Sequence, residues 1–215
     1  MNESIPNTRN FGRAASGAMH AMKRSWLAIA VLLSCVPALA GPEAVVTFNE
    51  IHYHPAAGQT SGEWIELRNQ HAVDVDLSGW RLDGGADFEF PAGTKIVGNG
   101  YLVIAANPGA LLATAGVTAL GPFTSALGND GERVMLKNRN GRVMDEIDYN
   151  DRWPWPIAAD GSGASLARIN ELTASGEPRN WRASLANGGT PGDYNFIAPL
   201  GPIGAGASQA AVRRY

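Results

Sequence analysis

Cysteine is nearly absent from this chain: its 215 residues include one, Cys35. A lone thiol can form neither an intramolecular disulfide nor a thiolate metal cluster, so an apolar core has to hold the fold. No apolar run reaches the about 18 residues that a membrane-spanning helix needs. The sequence also lacks a Gly-Lys pair for a phosphate-binding loop, a His-Glu-x-x-His motif and a Gly-x-Ser-x-Gly turn. These absences exclude three common kinds of catalytic site.

The first 40 residues have the pattern of a secretory leader. Met22-Lys23-Arg24 is positively charged, residues 26–33 form a short apolar run, and Ala38-Leu39-Ala40 is a small-x-small cleavage sequence. We therefore predict a bacterial signal peptide over residues 22–40, with cleavage before Gly41 and an extracytoplasmic location (secreted, periplasmic or cell surface). Residues 1–21 would then be an upstream extension, because translation can start at Met22.

Cys35 leaves a second processing route open. The sequence Leu32-Leu33-Ser34-Cys35 is similar to a bacterial lipobox, and a lipid anchor on Cys35 would tether the protein to a membrane. The apolar residues 36–40 favour ordinary cleavage instead. Removal of residues 1–40 takes away four of the 17 basic residues and one of the 20 acidic ones, which leaves a formal charge of −6. A mature chain of that charge disfavours nucleic acid as a partner.

Short strands account for most of the mature chain. The segments EWIEL from Glu63 and LSGWRL from Leu77 interleave a Trp and aliphatic residues with charges, and we expect them to pair as half-buried strands. Asn140-Gly141 predicts a β-hairpin, and Asn107-Pro108 with Gly116 predicts one short helix. Seven or eight strands separated by frequent turns predict an all-β sandwich. Its predicted core contains Trp64, Ile65, Leu67, Trp80, Leu82, Leu102 and Ile104.

Five segments of the chain carry a family resemblance: EWIELRN from Glu63, LSGWRL from Leu77, GNGYLVIA from Gly98, GERVML from Gly131 and GGTPGDYN from Gly188. In this order and spacing they resemble the lamin tail domain family, including its secreted bacterial members. The resemblance implies an immunoglobulin-like sandwich over residues 43–195 that serves as an interaction module without catalysis. A flexible Gly/Ala/Pro-rich tail is expected over residues 196–215.

Two surfaces are candidates for binding. Trp153-Pro154-Trp155-Pro156 presents two indoles in a rigid loop, and exposed indoles stack on sugars or on partner proteins. Arg139 and Arg142 flank the hairpin turn and could form a basic tip for phosphate or an acidic glycan. Each surface has a structural alternative, in which the Trp residues cover the edge of the sandwich and the arginines are simply solvated.

Three other groups have weaker chemical interpretations. His52 and His54 lie two apart on a strand and could ligate zinc or copper if a third ligand approached. Glu50 and Glu66 could face each other as an acid and base of glycoside hydrolysis, or pair structurally with Arg68, Arg81 or backbone amides. Acidic turn residues offer oxygens of the kind that calcium prefers, although their spacing matches no EF-hand. They are Asp74, Asp76, Asp83 and Asp87.

These observations predict an exported, non-catalytic binding or cell-surface scaffolding module that needs no cofactor. Its expected partner is an unidentified protein or glycan of the cell envelope. A carbohydrate-binding or hydrolase-accessory role would be favoured if Trp153 and Trp155 lay exposed beside a groove. A metal-dependent hydrolase would require His52, His54 and acidic side chains to converge within coordination distance.

Overall fold

The computed structural model of the protein describes residues 45–59 and 62–196. The predicted leader, Cys35 and the chain after residue 196 lie outside these ranges. The strands are β1 (Val46–His52), β2 (Trp64–Asn69), β3 (Val75–Asp76), β4 (Arg81–Gly84), β5 (Phe88–Glu89), β6 (Lys95–Ile96), β7 (Tyr101–Ala105), β8 (Gly131–Lys137), β9 (Val143–Asn150), β10 (Leu166–Arg168) and β11 (Trp181–Ala183).

In the part of the chain that the structure describes, three short helical segments accompany the strands. The α-helix α1 spans Pro108–Ala115, and two 3-10 turns span Ile157–Ala159 and Pro178–Asn180. Asn107 caps α1 by accepting the Ala110 N–H at 3.0 Å, and Gly116 ends it in a left-handed conformation. The single short helix expected from Asn107-Pro108 and Gly116 is therefore confirmed. No described helix is long and apolar enough to cross a membrane.

Two antiparallel sheets face each other. One contains five strands in the order β11-β10-β1-β2-β7, and the other contains four in the order β5-β4-β8-β9. The strands β3 and β6 form a separate two-stranded ladder. Between the large sheets lies one apolar core, to which β1, β2, β8 and β9 all contribute. The predicted all-β sandwich is confirmed, and the hairpin at Asn140-Gly141 joins β8 to β9.

The expected pairing of the two Trp-bearing segments is wrong. Trp64 begins β2, which pairs with β1 and β7 in the five-stranded sheet. Trp80 lies just before β4, which pairs with β5 and β8 in the other sheet. The two segments therefore bring their indoles to different sheets, because β2 finds its antiparallel partners elsewhere in the chain.

Strand β2 also differs from the half-buried strand that its alternating pattern predicts. All six of its residues are buried, and so are all seven residues of β1. Their second face is covered rather than solvated: Trp64 packs there with Val103, Ala105 and Leu111, and Leu111 belongs to α1. Burial of both faces by other parts of the chain overrides the local pattern.

Five of the seven predicted core residues are fully buried, and two are not. Ile65, Leu67, Leu82 and Ile104 belong to the main core, while Trp64 lies in the smaller cluster beneath α1. Leu102 is only partly buried because β7 is an edge strand. Trp80 is also only partly buried, since it precedes β4 and borders an open hollow at the hairpin turn.

Candidate binding site

The two indoles of the Trp153–Trp155 turn have opposite environments. Trp153 is 88% exposed, whereas Trp155 is 7% exposed and packs in the core with its ring centroid 6.5 Å from that of Trp181. The Trp155 N–H donates to the Arg152 carbonyl at 2.9 Å, which closes the turn. The prediction of Trp155 as a binding residue is therefore wrong: its side chain anchors the turn in the core, and only Trp153 presents an indole to solvent.

Arg139 and Arg142, at the tip of the β8–β9 hairpin, are both exposed. Two neighbouring cations on β8 are paired across the sheet, Arg133 with Glu146 and Lys137 with Asp83. Among the described residues, neither Arg139 nor Arg142 forms an ion pair. Within the described residues, the tip thus carries two arginines that have no ion-pair partner.

Arg139 borders a hollow of about 320 Å³, and Arg142 does not. The other residues of this hollow combine one indole with hydroxyl, amide and carboxylate groups. They are Trp80, Asp76, Ser78, Asn138 and Asn140. Trp153 is not among its described residues, so the structure does not bring the two predicted binding surfaces together at this point.

His52 and His54 occupy different environments. His52 is fully buried, donates from Nδ1 to the Gly62 carbonyl at 3.0 Å and stacks on Trp64 at 5.7 Å. Burial lowers the pKa of His52, so its imidazole is neutral at neutral pH. His54 is partly exposed, and its Nδ1 lies 2.5 Å from Asp160 Oδ1. Within the described ranges, no group of three or more His, Cys, Asp or Glu residues is placed to hold a metal ion.

Glu50 and Glu66 lie directly opposite each other on β1 and β2, and both are buried. Glu50 accepts hydrogen bonds from Ser165 Oγ, from the Thr190 N–H at 3.1 Å and from Thr190 Oγ1 at 3.0 Å. Glu66 accepts from Asn49 Nδ2 at 2.7 Å and from the Gly192 N–H at 2.5 Å. The two carboxylates therefore hold residues 188–195, the closing segment, against the five-stranded sheet.

Burial also decides the charge of these carboxylates. Loss of solvation raises the pKa of Glu50 to about 7 and that of Glu66 to about 8, against hydrogen bonds that favour the ionised forms. Both side chains are sealed from solvent, so no substrate can reach them as a glycosidase acid and base would require. Of the structural partners expected for them, the backbone amides of the closing segment are the ones present, while Arg68 pairs with Glu171 and Arg81 with Glu89.

A larger cavity lies at the end of the five-stranded sheet and was not predicted from the sequence. It has a volume of about 600 Å³ and is bordered by Asn49, Arg68, Arg168, Leu172 and Tyr194, among others. Both arginines are buried. These residues are far apart in the chain, and the one local signal was a pair of arginines inside apolar strands, at Arg68 in β2 and Arg168 in β10.

The comparison with known families agrees with the fold. Residues 40–151, just over half of the chain, match the family model described as Lamin Tail Domain. No curated protein sequence matches the chain. Strands β10 and β11 follow the matched region and complete the same sheet as β1 and β2. The match and the antiparallel sandwich together identify the chain as a member of the lamin tail domain family of non-catalytic, immunoglobulin-like modules.

Proposed function

We propose that this protein is a non-catalytic binding module of the cell envelope, exported by the leader at residues 22–40, and that the Trp153 turn contacts its partner. The family supports a binding or scaffolding role without catalysis. The leader pattern and the formal charge of −6 after its removal support an extracytoplasmic protein or glycan as the partner rather than nucleic acid.

The observation that carries this proposal is the exposure of Trp153. An indole that is 88% exposed leaves a large apolar surface in water, and Trp is one of the three residue types enriched at the energetic hot spots of interfaces. The turn is also preorganised. Pro154 and Pro156 restrict its backbone, and Trp155 is fixed in the core, so a partner has little conformational entropy to remove.

The Trp153→Ala variant tests this assignment. The purified mature protein is measured for binding to immobilised envelope polysaccharides, peptidoglycan, isolated envelope proteins and duplex DNA. We expect binding to one of the first three, reduced at least about tenfold by Trp153→Ala, because loss of a central indole removes about 2 kcal/mol or more. The matched control is Leu185→Ala, since Leu185 is 85% exposed and should leave affinity unchanged.

Two results would contradict the proposal. Equal binding by Trp153→Ala and Leu185→Ala would show that the turn is not the contact surface. Binding to duplex DNA alone would exclude an envelope partner. Export is tested separately by the mass of the mature N-terminus, which should be Gly41; a lipid-modified Cys35 would replace a free module with a membrane-tethered one.

A second candidate function, carbohydrate binding or a hydrolase-accessory role, is favoured by the hollow at the hairpin tip. An indole beside a carboxylate, a hydroxyl and two amides is a common composition for a sugar site, and about 320 Å³ admits a small saccharide. Arg139 would then select acidic sugars. The variant Arg139→Ala should weaken binding to an acidic polysaccharide and leave a neutral one unaffected, whereas Arg142→Ala should affect neither.

A further inference from the structure

The closing segment seals two carboxylates that face each other without a cation. Glu50 and Glu66 are register partners on β1 and β2, and both are fully buried. Among the described residues, neither forms an ion pair. The segment supplies only neutral donors: the Thr190 N–H and Oγ1 to Glu50, and the Gly192 N–H to Glu66. A pair held in this way is far more costly to bury ionised than protonated, because no positive charge replaces the lost solvation.

The other charged groups around the pair do not neutralise it. Arg68 follows Glu66 by two positions on β2 and lies on the same face, but its Nε donates to Glu171 at 2.7 Å. The Glu171 carboxylate acts unfavourably on an ionised Glu66. Burial lowers the pKa of His52 on β1 and keeps its imidazole neutral. Asp193, in the closing segment itself, is exposed and negative. These surroundings therefore favour the protonated pair.

Opening of the segment would change the protonation of the pair. While the segment is closed, loss of solvation is the main cause that raises the pKa of Glu50 to about 7 and that of Glu66 to about 8, from an ordinary value of 4.5. Once water reaches the carboxylates, both pKa values fall toward 4.5 and protons are released. Rising pH therefore favours opening by up to about tenfold per pH unit for each group, and the effect is complete above about pH 8.

The closing segment is attached at its two ends by bonds that do not involve the carboxylates. The Gly188 N–H donates to a backbone carbonyl before β10 at 2.7 Å, and the Asn195 side chain donates to two further backbone carbonyls. Between these ends, Gly189 and Gly192 have φ values of 77° and 85°. Glycine changes its backbone conformation at little steric cost, so the middle of the segment can lift while both ends stay attached.

The middle of the segment rests directly on the groups that it covers. A Cβ atom at Gly189 would lie 2.7 Å from Glu50 Oε1 and 2.7 Å from Trp64 Cζ2. Gly189 also borders a second cavity of about 600 Å³, together with Leu111 and Val117. Leu111 packs in the same cluster as Trp64. Lifting of the segment would therefore connect this cavity to the Trp64 indole and to the carboxylates.

We propose that the closing segment is a latch operated by pH: it stays closed while Glu50 and Glu66 are protonated, and its middle lifts without global unfolding as rising pH ionises them. The lifted state exposes the Trp64 indole, which is sealed in the closed state. None of the residues of the latch belongs to the Trp153 turn, so the variant Trp153→Ala should leave the latch unaffected.

Hydrogen exchange of the full-length protein, followed by NMR at pH 6 and pH 8, tests the latch. Protection factors are compared, since they correct for the faster intrinsic exchange at higher pH. The Thr190 and Gly192 amides should lose at least about tenfold in protection between pH 6 and pH 8. At both pH values they should be at least about tenfold less protected than the Val134 and Leu136 amides of β8, which exchange through global unfolding.

The variant Glu66→Gln connects the loss of protection to the carboxylates. Its amide does not titrate, so the Thr190 and Gly192 amides should lose less protection between pH 6 and pH 8, through Glu50 alone. Glu89→Gln is the matched control, because Glu89 is exposed beside Arg81 and should preserve the full loss.

A second pair of variants tests the seat of the segment without changing any charge. Gly189→Ala places a Cβ against Glu50 and Trp64, and should lower the protection of the Thr190 and Gly192 amides at pH 6 by at least about tenfold. Gly188→Ala is the matched control. Gly188 has a similar φ of 87°, but a Cβ there would meet its nearest atom at 3.6 Å, so the loss should be smaller.

Four outcomes would overturn the proposal. Equal protection of the Thr190 and Gly192 amides at pH 6 and pH 8 would mean that ionisation does not open the segment. Protection equal to that of the β8 amides would mean that only global unfolding frees it. A full loss in Glu66→Gln would assign the pH dependence to other groups. Equal effects of Gly188→Ala and Gly189→Ala would mean that the segment does not rest on the pair.

Discussion

The two large sheets of this protein are built on different principles. In the four-stranded sheet, β8 and β9 alternate between buried and more exposed residues, so one face meets the core and the other meets water. In the five-stranded sheet, β1 and β2 are buried throughout. Alternation in a sequence therefore identifies the core face only where the other face remains solvated. Where other parts of the chain cover both faces of a sheet, the polar residues between the apolar ones are buried as well.

The covered face of the five-stranded sheet is polar as well as buried. Glu66 points away from the sandwich core, and a bulge between Phe48 and Glu50 turns Glu50 and His52 to the same face, opposite Glu66 and Trp64. A solvated outer face would leave these polar groups in water. They are instead sealed by the closing segment and by Trp64. Charged groups in the four-stranded sheet form ion pairs in water, such as Arg133 with Glu146. Substitution of a charged residue should therefore change the free energy of unfolding strongly in the five-stranded sheet and weakly in the four-stranded sheet.

The largest expected effect concerns Trp64 and Trp80, which the sequence pattern predicts equally to be core residues. Trp64→Ala should lower the free energy of unfolding by about 3–5 kcal/mol, because Trp64 is fully buried beneath α1 and its loss leaves a cavity. Trp80→Ala should cost less than about 2 kcal/mol, since its side chain is only partly buried. Denaturant unfolding monitored by circular dichroism measures both changes. Equal losses of unfolding free energy would mean that the covered face of the five-stranded sheet contributes no more to stability than the open face of the four-stranded sheet.

A pH titration of stability tests the buried carboxylates. Glu66 has a pKa of about 8 in the folded protein and an ordinary value of 4.5 when unfolded. Between these values the folded state holds a proton that the unfolded state has released, so stability is greatest at the acidic end and falls as pH rises. The loss from this group is up to about 1.4 kcal/mol per pH unit, or on the order of 2 kcal/mol between pH 5.5 and 7.5.

The variant Glu66→Gln isolates that contribution. Its unfolding free energy should fall less than that of the wild type between pH 5.5 and 7.5, because the amide does not titrate. Glu89→Gln is the control, since Glu89 is exposed beside Arg81 and should preserve the wild-type pH dependence. If Glu66→Gln kept the full pH dependence, the covered face would have to be open enough to solvate an ionised carboxylate.

What could be predicted from the sequence was local. The hairpin at Asn140-Gly141 and the helix between Asn107 and Gly116 are encoded by neighbouring residues, and the structure contains both. The burial of Trp155 depends on Trp181, and the environment of Glu50 depends on Thr190, 140 positions away. The cavity likewise combines Arg68 with Arg168 and Tyr194. A single sequence gives no measure of such distant contacts, so it offered Trp153, Trp155, Arg139 and Arg142 as binding residues without showing that Trp155 is buried.

The smallest expected effect comes from the open face. Arg133 and Glu146 pair across β8 and β9 with both side chains about half exposed. An exposed pair gains little in water because solvation and side-chain entropy offset the attraction, so Arg133→Ala should leave the midpoint of denaturant unfolding almost unchanged. The difference should shrink further in about 1 M salt, where screening acts over about 3 Å. A loss as large as that of Trp64→Ala that persisted in salt would show that this face is covered too, and the two sheets would then not differ in the way that their burial patterns indicate.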